Sequence, residues 1–234
     1  MFRTLEVSDP ALSPPGLRFV TAKSAALGQR ADVLLFVPPQ AAALQNVPLV
    51  LAMPSDGLWG DGSGYVAHAT QDFERWIVDE VPAAARAACS ACGEASPLFI
   101  AGLSMGGFGA LRLAGRHPRR FVAATGHSSV TEAAQLDALM AEARIGWAAA
   151  PADCSVIASL RSADAPLPAL RFDCGRDDPF IAANRQLHAE LQAAGIAHEY
   201  AEHDGGHGWA YWAQHLEDTL RFFGQTLTNR NPTP

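Results

Sequence analysis

Short apolar runs bounded by turn-forming residues recur along the chain and predict seven β-strands. The first two, at 17–23 and 31–37, flank the turn-prone pair Gly28-Gln29 and predict an antiparallel pair. The run 47–53 is short and apolar, which is typical of a strand buried on both faces. The four remaining candidates lie at 98–102, 121–126, 170–174 and 198–202.

Segments with helical spacing separate the later strands. Phe73, Trp76 and Val81 recur at helical intervals, and Pro82 should kink or interrupt this first helix. Further helices are expected at 106–117, 184–194 and 209–227. Buried strands that alternate with helices predict an α/β fold, in which a mostly parallel sheet carries helices on both faces.

The length of 234 residues fits one domain that spans residues 1–234. Within it, the Ala-rich stretch at about 130–168 has no clear period and fits irregular helices that are inserted as a cap. The polar residues 228–234 are expected to form a disordered tail.

Charge and composition narrow the possible partners. The net charge is −7, and Lys and Arg form no runs, so a nucleic-acid partner is not expected. No uninterrupted apolar stretch is long enough to predict a transmembrane helix, and residues 1–15 do not have the pattern of a signal peptide. We therefore expect a cytoplasmic protein with no membrane partner.

The four cysteines are too few and too scattered to predict a disulfide framework. Cys89-Ser-Ala-Cys92 is a lone C-x-x-C with no second pair to complete a zinc site. It follows a predicted helix, whereas a redox motif of this kind lies between a strand and the start of a helix. The pattern therefore favours two free thiols.

The most informative motif is Gly102-Leu103-Ser104-Met105-Gly106, a G-x-S-x-G sequence between an apolar strand and a helix. In this turn the serine adopts a strained backbone, and its Oγ projects at the helix N-terminus. The Met105 N–H then points to where an oxyanion would form. A glycine-rich turn that only packs or binds phosphate is the alternative, but the strand–helix context favours a nucleophile at Ser104.

A serine hydroxyl needs a base to accept its proton and an acid to orient that base. In proteins with this motif the acid and then the histidine follow the serine along the chain. His207 lies in the loop 205–209, between the last predicted strand and the last predicted helix, and is the predicted base. A zinc site of His203, Asp204 and His207 is disfavoured, because two glycines break helical i, i+4 spacing.

The acid should follow the strand at 170–174. Gly175-Arg176-Asp177-Asp178 offers two carboxylates directly after it, and spacing alone does not choose between Asp177 and Asp178.

These motifs together resemble the esterase D-type family of α/β-hydrolases, which includes S-formylglutathione hydrolases, feruloyl esterases and mycolyltransferases. The resemblance extends over most of residues 53–212. The matching stretches are MPSDGLWGDGSGY, FERWIVDEVPAAAR, FIAGLSMGGFGALRLAGRHP, RFDCGRDDPF with the following NR, and GGHGWAYW.

The resemblance implies a serine esterase that hydrolyses carboxylic or thioesters of small acyl groups through an acyl-enzyme, with no cofactor and no metal. Its catalytic residues would be Ser104, Asp178 and His207, because the family's acid stands three residues after the glycine. The implied partner is a small-molecule ester.

The chain departs from the family before Pro54. Family members carry an additional strand that ends in a His-Gly oxyanion loop, and then a helix, so this chain has one strand and one helix fewer than usual. We expect the strand at 47–53 to pair directly with that at 98–102, and not to lie one place further out, so its loop should begin beside Ser104. The backbone at Gly57 could then supply a second oxyanion donor beside Met105. The alternative function is a non-catalytic or crippled homologue without a complete oxyanion hole.

Overall fold

The computed structural model describes residues 2–54, 62–138 and 147–230. The chain forms two compact units. One comprises residues 1–49, 65–97 and 146–148, and the other comprises residues 50–64, 98–145 and 149–234. None of the helices in the described parts of the chain combines the length and the hydropathy that crossing a bilayer requires.

The first unit contains a three-stranded antiparallel sheet of β1 (Leu5–Val7), β2 (Leu17–Lys23) and β3 (Arg30–Phe36). β2 pairs with both neighbours, so the predicted antiparallel pair is confirmed. β1 was not predicted, because three residues are too few to show an alternating pattern.

The helical segment of this unit is irregular. Asp72 caps α1 (Phe73–Arg75), because its carboxylate accepts a hydrogen bond from the Arg75 N–H. A π-helical turn at Trp76–Glu80 then leads into α2 (Val81–Ala88). The interruption expected at Pro82 is confirmed, because the helix widens directly before this residue, which has no N–H to donate.

The second unit is built on a five-stranded sheet in the order β4-β5-β6-β7-β8. β5 to β8 pair in parallel, which confirms the α/β fold. The strands are β4 (Leu49–Met53), β5 (Leu98–Leu103), β6 (Ala123–His127), β7 (Ala169–Gly175) and β8 (Glu199–His203).

Two sequence-based expectations about this sheet have different outcomes. The direct pairing of the strand before Pro54 with the nucleophile strand is confirmed, since β4 is hydrogen-bonded to β5. The expected number of about seven strands in one mostly parallel sheet is wrong. This sheet has five strands among the described residues, because β2 and β3 belong to the antiparallel sheet. Local patterns predicted the β2–β3 pair, but they did not show that this pair belongs to a separate sheet.

Helices cover this sheet and form the core with it. Among the described residues of this unit, the α-helices are α3 (Met105–Arg116), α4 (Val156–Arg161), α5 (Ile181–Ala193) and α6 (Trp209–Arg230). α6 packs on β5 and β6, with the rings of Phe99 and Phe223 4.6 Å apart and Ala101 and Ala123 buried beside them. Burial of apolar side chains between helix and sheet stabilises the unit.

The stretch predicted to be an irregular cap contains 3₁₀-helices at Ala133–Ala138 and Pro151–Cys154, followed by α4. α4 packs closely on α3, because Gly115 has no side chain to hold the two helices apart at the Ser159 carbonyl. The last helix extends to Arg230, three residues into the predicted tail, where Thr228 Oγ1 donates to the Gly224 carbonyl.

Candidate active site

The predicted nucleophile lies in a sharp turn between β5 and α3. Ser104 has φ 55° and ψ −117°, a strained conformation for a residue with a side chain. A Cβ at Gly102 would clash with the Gly106 carbonyl, and one at Gly106 would clash with the Met53 carbonyl. Both glycines of the motif are therefore required by close backbone approach.

Three main-chain hydrogen bonds hold this turn in place. The Ser104 N–H donates to the His127 carbonyl at 2.9 Å, and the Ser104 carbonyl accepts from Phe108 N–H at 3.1 Å and from Val130 N–H at 3.2 Å. Met105 is the first residue of α3, so its N–H has no acceptor within the helix and is available to an oxyanion.

His207 reaches Ser104 from the loop between β8 and α6. Its Nε2 lies 2.9 Å from Ser104 Oγ, although the two residues are 103 positions apart in the chain. The edge-on rings of Phe180 and Trp212, 5.2 and 5.1 Å from the imidazole centroid, restrict its rotation. The imidazole side chain keeps 22% of its surface exposed, so it remains open to a small molecule.

Asp178 lies on the other side of the imidazole. Its Oδ2 is 2.9 Å from His207 Nδ1, and its Oδ1 accepts from the Phe180 N–H at 2.8 Å. Burial by itself would raise the pKa of Asp178. The hydrogen bonds from His207 and from the Phe180 N–H outweigh burial and hold this pKa below its ordinary value, so the carboxylate stays charged.

The structure distinguishes the two candidate acids. Asp178 is buried and contacts His207, whereas Asp177 is exposed and bonds through its N–H to the Gly205 carbonyl. The three predicted catalytic side chains Ser104, His207 and Asp178 are thus brought together. Asp177 is not among them.

The region of the second oxyanion donor is described only as far as Pro54. The carbonyls of Met53 and Pro54 lie against Gly106, two residues beyond Ser104, so the chain leaves β4 beside the nucleophile turn. Pro54 itself has no N–H to donate. The predicted donor at Gly57 lies outside the described residues.

Candidate metal ligands occur together at one place among the described residues. His203, His215 and Asp218 have ligand atoms within 4.8 Å of one another. The two imidazoles are stacked, with centroids 4.0 Å apart and planes 14° apart, so their in-plane lone pairs cannot converge on one ion. The Arg171 guanidinium, 4.0 Å from Asp218, also opposes a cation.

The disfavoured zinc site has no support in the geometry. His207 is engaged by Ser104 and Asp178, while Asp204 is exposed and pairs with Arg176 at 2.5 Å. Cys89 and Cys92 are buried free thiols at the end of α2, which agrees with their prediction. Burial and the neighbouring Cys89 raise the pKa of Cys92 to about 11, so this thiol is unreactive at neutral pH.

Sequence reasoning missed the residues that support the site. Ser128 has φ 49°, is fully buried, and donates its N–H to the Asp173 carbonyl at 2.8 Å. The Asn184 amide also donates to the Ser129 carbonyl, and the Phe180 ring packs against His207. The only signal in the sequence is the position of Phe180 and Asn184 just after Asp178, and their contacts depend on loops far away in the chain.

Comparison with known proteins shows which family this chain resembles. The family model described as "Putative esterase" matches residues 62–223, which is more than half of the chain. An acetyl esterase of Caldicellulosiruptor saccharolyticus is 27% identical over 144 residues, a match that covers 54% of each protein. The chain thus spans about half the length of this curated relative.

Solved structures share the fold. FphF, a fluorophosphonate-binding serine hydrolase of Staphylococcus aureus, superposes with a TM-score of 0.77 at 19% identity, covering 90% of this chain and 98% of that one. An S-formylglutathione hydrolase of Agrobacterium tumefaciens gives a TM-score of 0.73 at 17% identity, covering 97% and 99%. At these identities the likeness establishes the fold alone.

Proposed function

The chain belongs to this esterase family, and we propose that it is a serine esterase that hydrolyses carboxylic or thioesters of small acyl groups. The observation that carries the proposal is the continuous row Ser104–His207–Asp178, with two contacts of 2.9 Å. These are the distances that proton transfer from a nucleophile to a base requires.

Acylation begins when Ser104 Oγ attacks the carbonyl carbon of the ester. The Ser104 proton passes to His207 Nε2, and the charged carboxylate of Asp178 stabilises the imidazolium that forms. The Met105 N–H, at the positive end of α3, donates to the developing oxyanion. When the tetrahedral intermediate collapses, His207 returns the proton to the leaving alcohol or thiol, and the acyl group stays on Ser104.

Deacylation repeats these steps with water. His207 takes a proton from a water molecule, which attacks the acyl carbon. The bond to Ser104 Oγ then breaks, and the proton returns to the serine as the acid leaves. Each turnover consumes one ester and one water and yields one acid and one alcohol or thiol, so the reaction needs no redox partner.

The substrate class rests on the family and on the named relatives. The curated relative is an acetyl esterase, and one structural neighbour is an S-formylglutathione hydrolase, which acts on a thioester of a one-carbon acid. Both names favour a short acyl group on Ser104. The leaving group can be an oxygen or a sulfur, because His207 protonates either one.

A crippled or non-catalytic homologue is the competing function, because the usual oxyanion strand is missing. The closeness of the Met53 and Pro54 carbonyls to Gly106 favours the enzyme, since the chain leaves β4 beside the nucleophile turn. The proposed replacement for the lost donor is the backbone N–H of Gly57, which lies outside the described residues. In other enzymes, the loss of one oxyanion donor lowers kcat by about 10²–10³-fold. The activity of a protein with a single donor would therefore still be measurable.

The deciding experiment combines a fluorophosphonate probe with peptide mapping. We expect covalent labelling at Ser104, no labelling of Ser104→Ala, and turnover of p-nitrophenyl acetate or butyrate by the wild type. A wild-type protein that is folded but neither labelled nor active would support the non-catalytic homologue. Labelling at a different residue would contradict the assignment of Ser104.

A further inference from the structure

One polar side chain behind the catalytic row is completely buried and uses both of its amide hydrogens. Asn184, on the second turn of α5, donates from Nδ2 to the Ser129 carbonyl at 2.8 Å and to the Phe180 carbonyl at 3.0 Å. It has no exposed surface. Its two acceptors belong to different loops, so this amide joins the loop after β6 to the loop after β7.

The Phe180 carbonyl connects Asn184 to the acid and the base. The Phe180 N–H donates to Asp178 Oδ1 at 2.8 Å, and the Phe180 ring packs edge-on against His207 with centroids 5.2 Å apart. A shift of the Phe180 backbone therefore moves both the donor that orients the carboxylate and the ring that restricts the imidazole.

The Ser129 carbonyl connects Asn184 to the nucleophile. The next residue, Val130, donates its N–H to the Ser104 carbonyl at 3.2 Å, and the Ser129 side chain fills the space beside Gly107 of α3. The preceding residue, Ser128, holds a strained backbone with φ 49°. Such a conformation persists only where neighbouring contacts enforce it.

We infer that Asn184 is a positioning residue that sets the separation between the Ser104 turn and the Asp178–His207 pair. The inference rests on the proposed function, because it assigns Asn184 a role in that same reaction. Asn184 does not touch the reacting atoms and is no catalytic residue. It fixes two carbonyls whose neighbours hold the nucleophile on one side and the acid and base on the other.

Asparagine suits this position because one nitrogen carries two hydrogens that diverge toward two carbonyls. Leucine has a similar shape but donates neither bond, and aspartate offers only oxygen to two carbonyl oxygens. Both substitutions should let the two loops move apart. A misplacement of about 1 Å in an enzyme site lowers the rate by about 10²-fold.

The test compares Asn184→Leu with Leu187→Ala, a variant of a buried apolar residue on the same helix. We expect Asn184→Leu to lower kcat for p-nitrophenyl acetate by about 10–10²-fold with KM little changed. Leu187→Ala should lower Tm and leave kcat unchanged at temperatures where both variants are folded. A folded Asn184→Leu protein with wild-type kcat would overturn the inference, as would an equal loss of kcat in Leu187→Ala.

A second variant and a second measurement make the result independent of turnover. Asn184→Asp keeps the volume and serves if Asn184→Leu does not fold. Proton NMR should show the hydrogen shared by His207 Nδ1 and Asp178 far downfield in the wild type, and this signal should shift or broaden in either Asn184 variant but not in Leu187→Ala. An unchanged signal in folded Asn184 variants would contradict positioning. If the wild type is inactive and unlabelled, the proposed function fails, while the NMR comparison still decides the role of Asn184.

Discussion

The sheet of the second unit carries two rows of hydroxyl, imidazole and carboxylate with nearly the same distances. In the first row, His207 lies 2.9 Å from both Ser104 and Asp178. In the second row, His127 lies 3.0 Å from Asp173 Oδ1 and 2.8 Å from Thr219 Oγ1. By hydrogen-bond geometry alone, both rows have the form of a catalytic triad.

The surroundings of the hydroxyl differ between the two rows. Ser104 lies on a strained turn at the N-terminus of α3, beside the Met105 N–H, which has no acceptor within the helix, and its histidine is partly exposed. Thr219 lies inside α6 and has no exposed surface, and His127 is also buried. A substrate can therefore approach the first row but not the second.

The carboxylates differ as well. Asp178 directs one oxygen to His207 and the other to a backbone N–H. Asp173 is shared by His127, the Arg171 guanidinium at 2.5 Å and the Tyr211 hydroxyl at 2.9 Å. Burial raises the pKa of Asp173, but the contacts with His127 and Arg171 outweigh burial and keep this pKa low. The second row joins β6, β7 and α6 as a buried polar network. A triad thus depends on access and on a preorganised oxyanion site as much as on distances.

The largest effect on kcat is expected when the hydroxyls of Ser104 and Thr219 are removed in turn. Ser104→Ala should abolish hydrolysis of p-nitrophenyl acetate, a loss on the order of 10⁶-fold in kcat, while the fold is retained. Thr219→Val removes the corresponding hydroxyl of the buried row, and it should lower Tm and leave kcat unchanged. Steady-state kinetics and thermal melts of both variants test this. Turnover above background in Ser104→Ala would refute the assignment of the nucleophile.

The next comparison concerns the carboxylates after β7. Asp178→Asn should lower kcat by about 10⁴-fold, because the imidazole loses the group that fixes its tautomer and stabilises its charge. Asp177→Asn should have little effect, because Asp177 is exposed and away from His207. Both variants are assayed side by side at the same pH. If Asp177→Asn proves to be the crippled protein, Asp178 is not the acid.

Removing the buried charge of the second row should change stability and not chemistry. Asp173→Asn leaves the Arg171 guanidinium buried without its carboxylate and should lower the free energy of unfolding by about 3–5 kcal/mol. Below the unfolding transition, kcat should stay within a few-fold of the wild type. Denaturant unfolding and kinetics measure the two quantities. Asp204→Asn, at an exposed pair, is the control and should change neither.

The smallest effect on the free energy of unfolding is expected at Glu202, which lies nearer the surface than the buried Asp173. Hydrogen bonds from Arg185 and Tyr200 lower the pKa of Glu202 from 4.5 to about 2. Since the folded pKa is the lower one, the pair contributes stability above pH 4.5 that is lost as the pH falls toward 2. Because solvent screens this pair, Glu202→Gln should reduce the acid-induced loss of stability by less than about 1 kcal/mol. Unfolding free energies at pH 6 and pH 3 test this, and an unchanged pH dependence would contradict it.

The sequence alone predicted the elements whose signals are local. The antiparallel pair β2–β3, the buried strands, the interruption at Pro82 and the turn at Ser104 each depend on residues within a few positions of one another. His207 was predicted because a glycine-containing loop between a strand and a helix is also a local pattern. The resemblance to the esterase family added the preference for Asp178 over Asp177.

Only the tertiary structure decided what depends on distant partners. The division of the strands between two sheets and the buried row of His127, Asp173 and Thr219 depend on residues that lie tens of positions apart. In the sequence, Asn184 is one polar residue among others on a predicted helix. Its role depends on the loops after β6 and β7, whose carbonyls accept from its side chain. Local periodicity records which face of an element is apolar. It holds no information about which carbonyl of another loop will meet a given donor, because chain folding sets that distance.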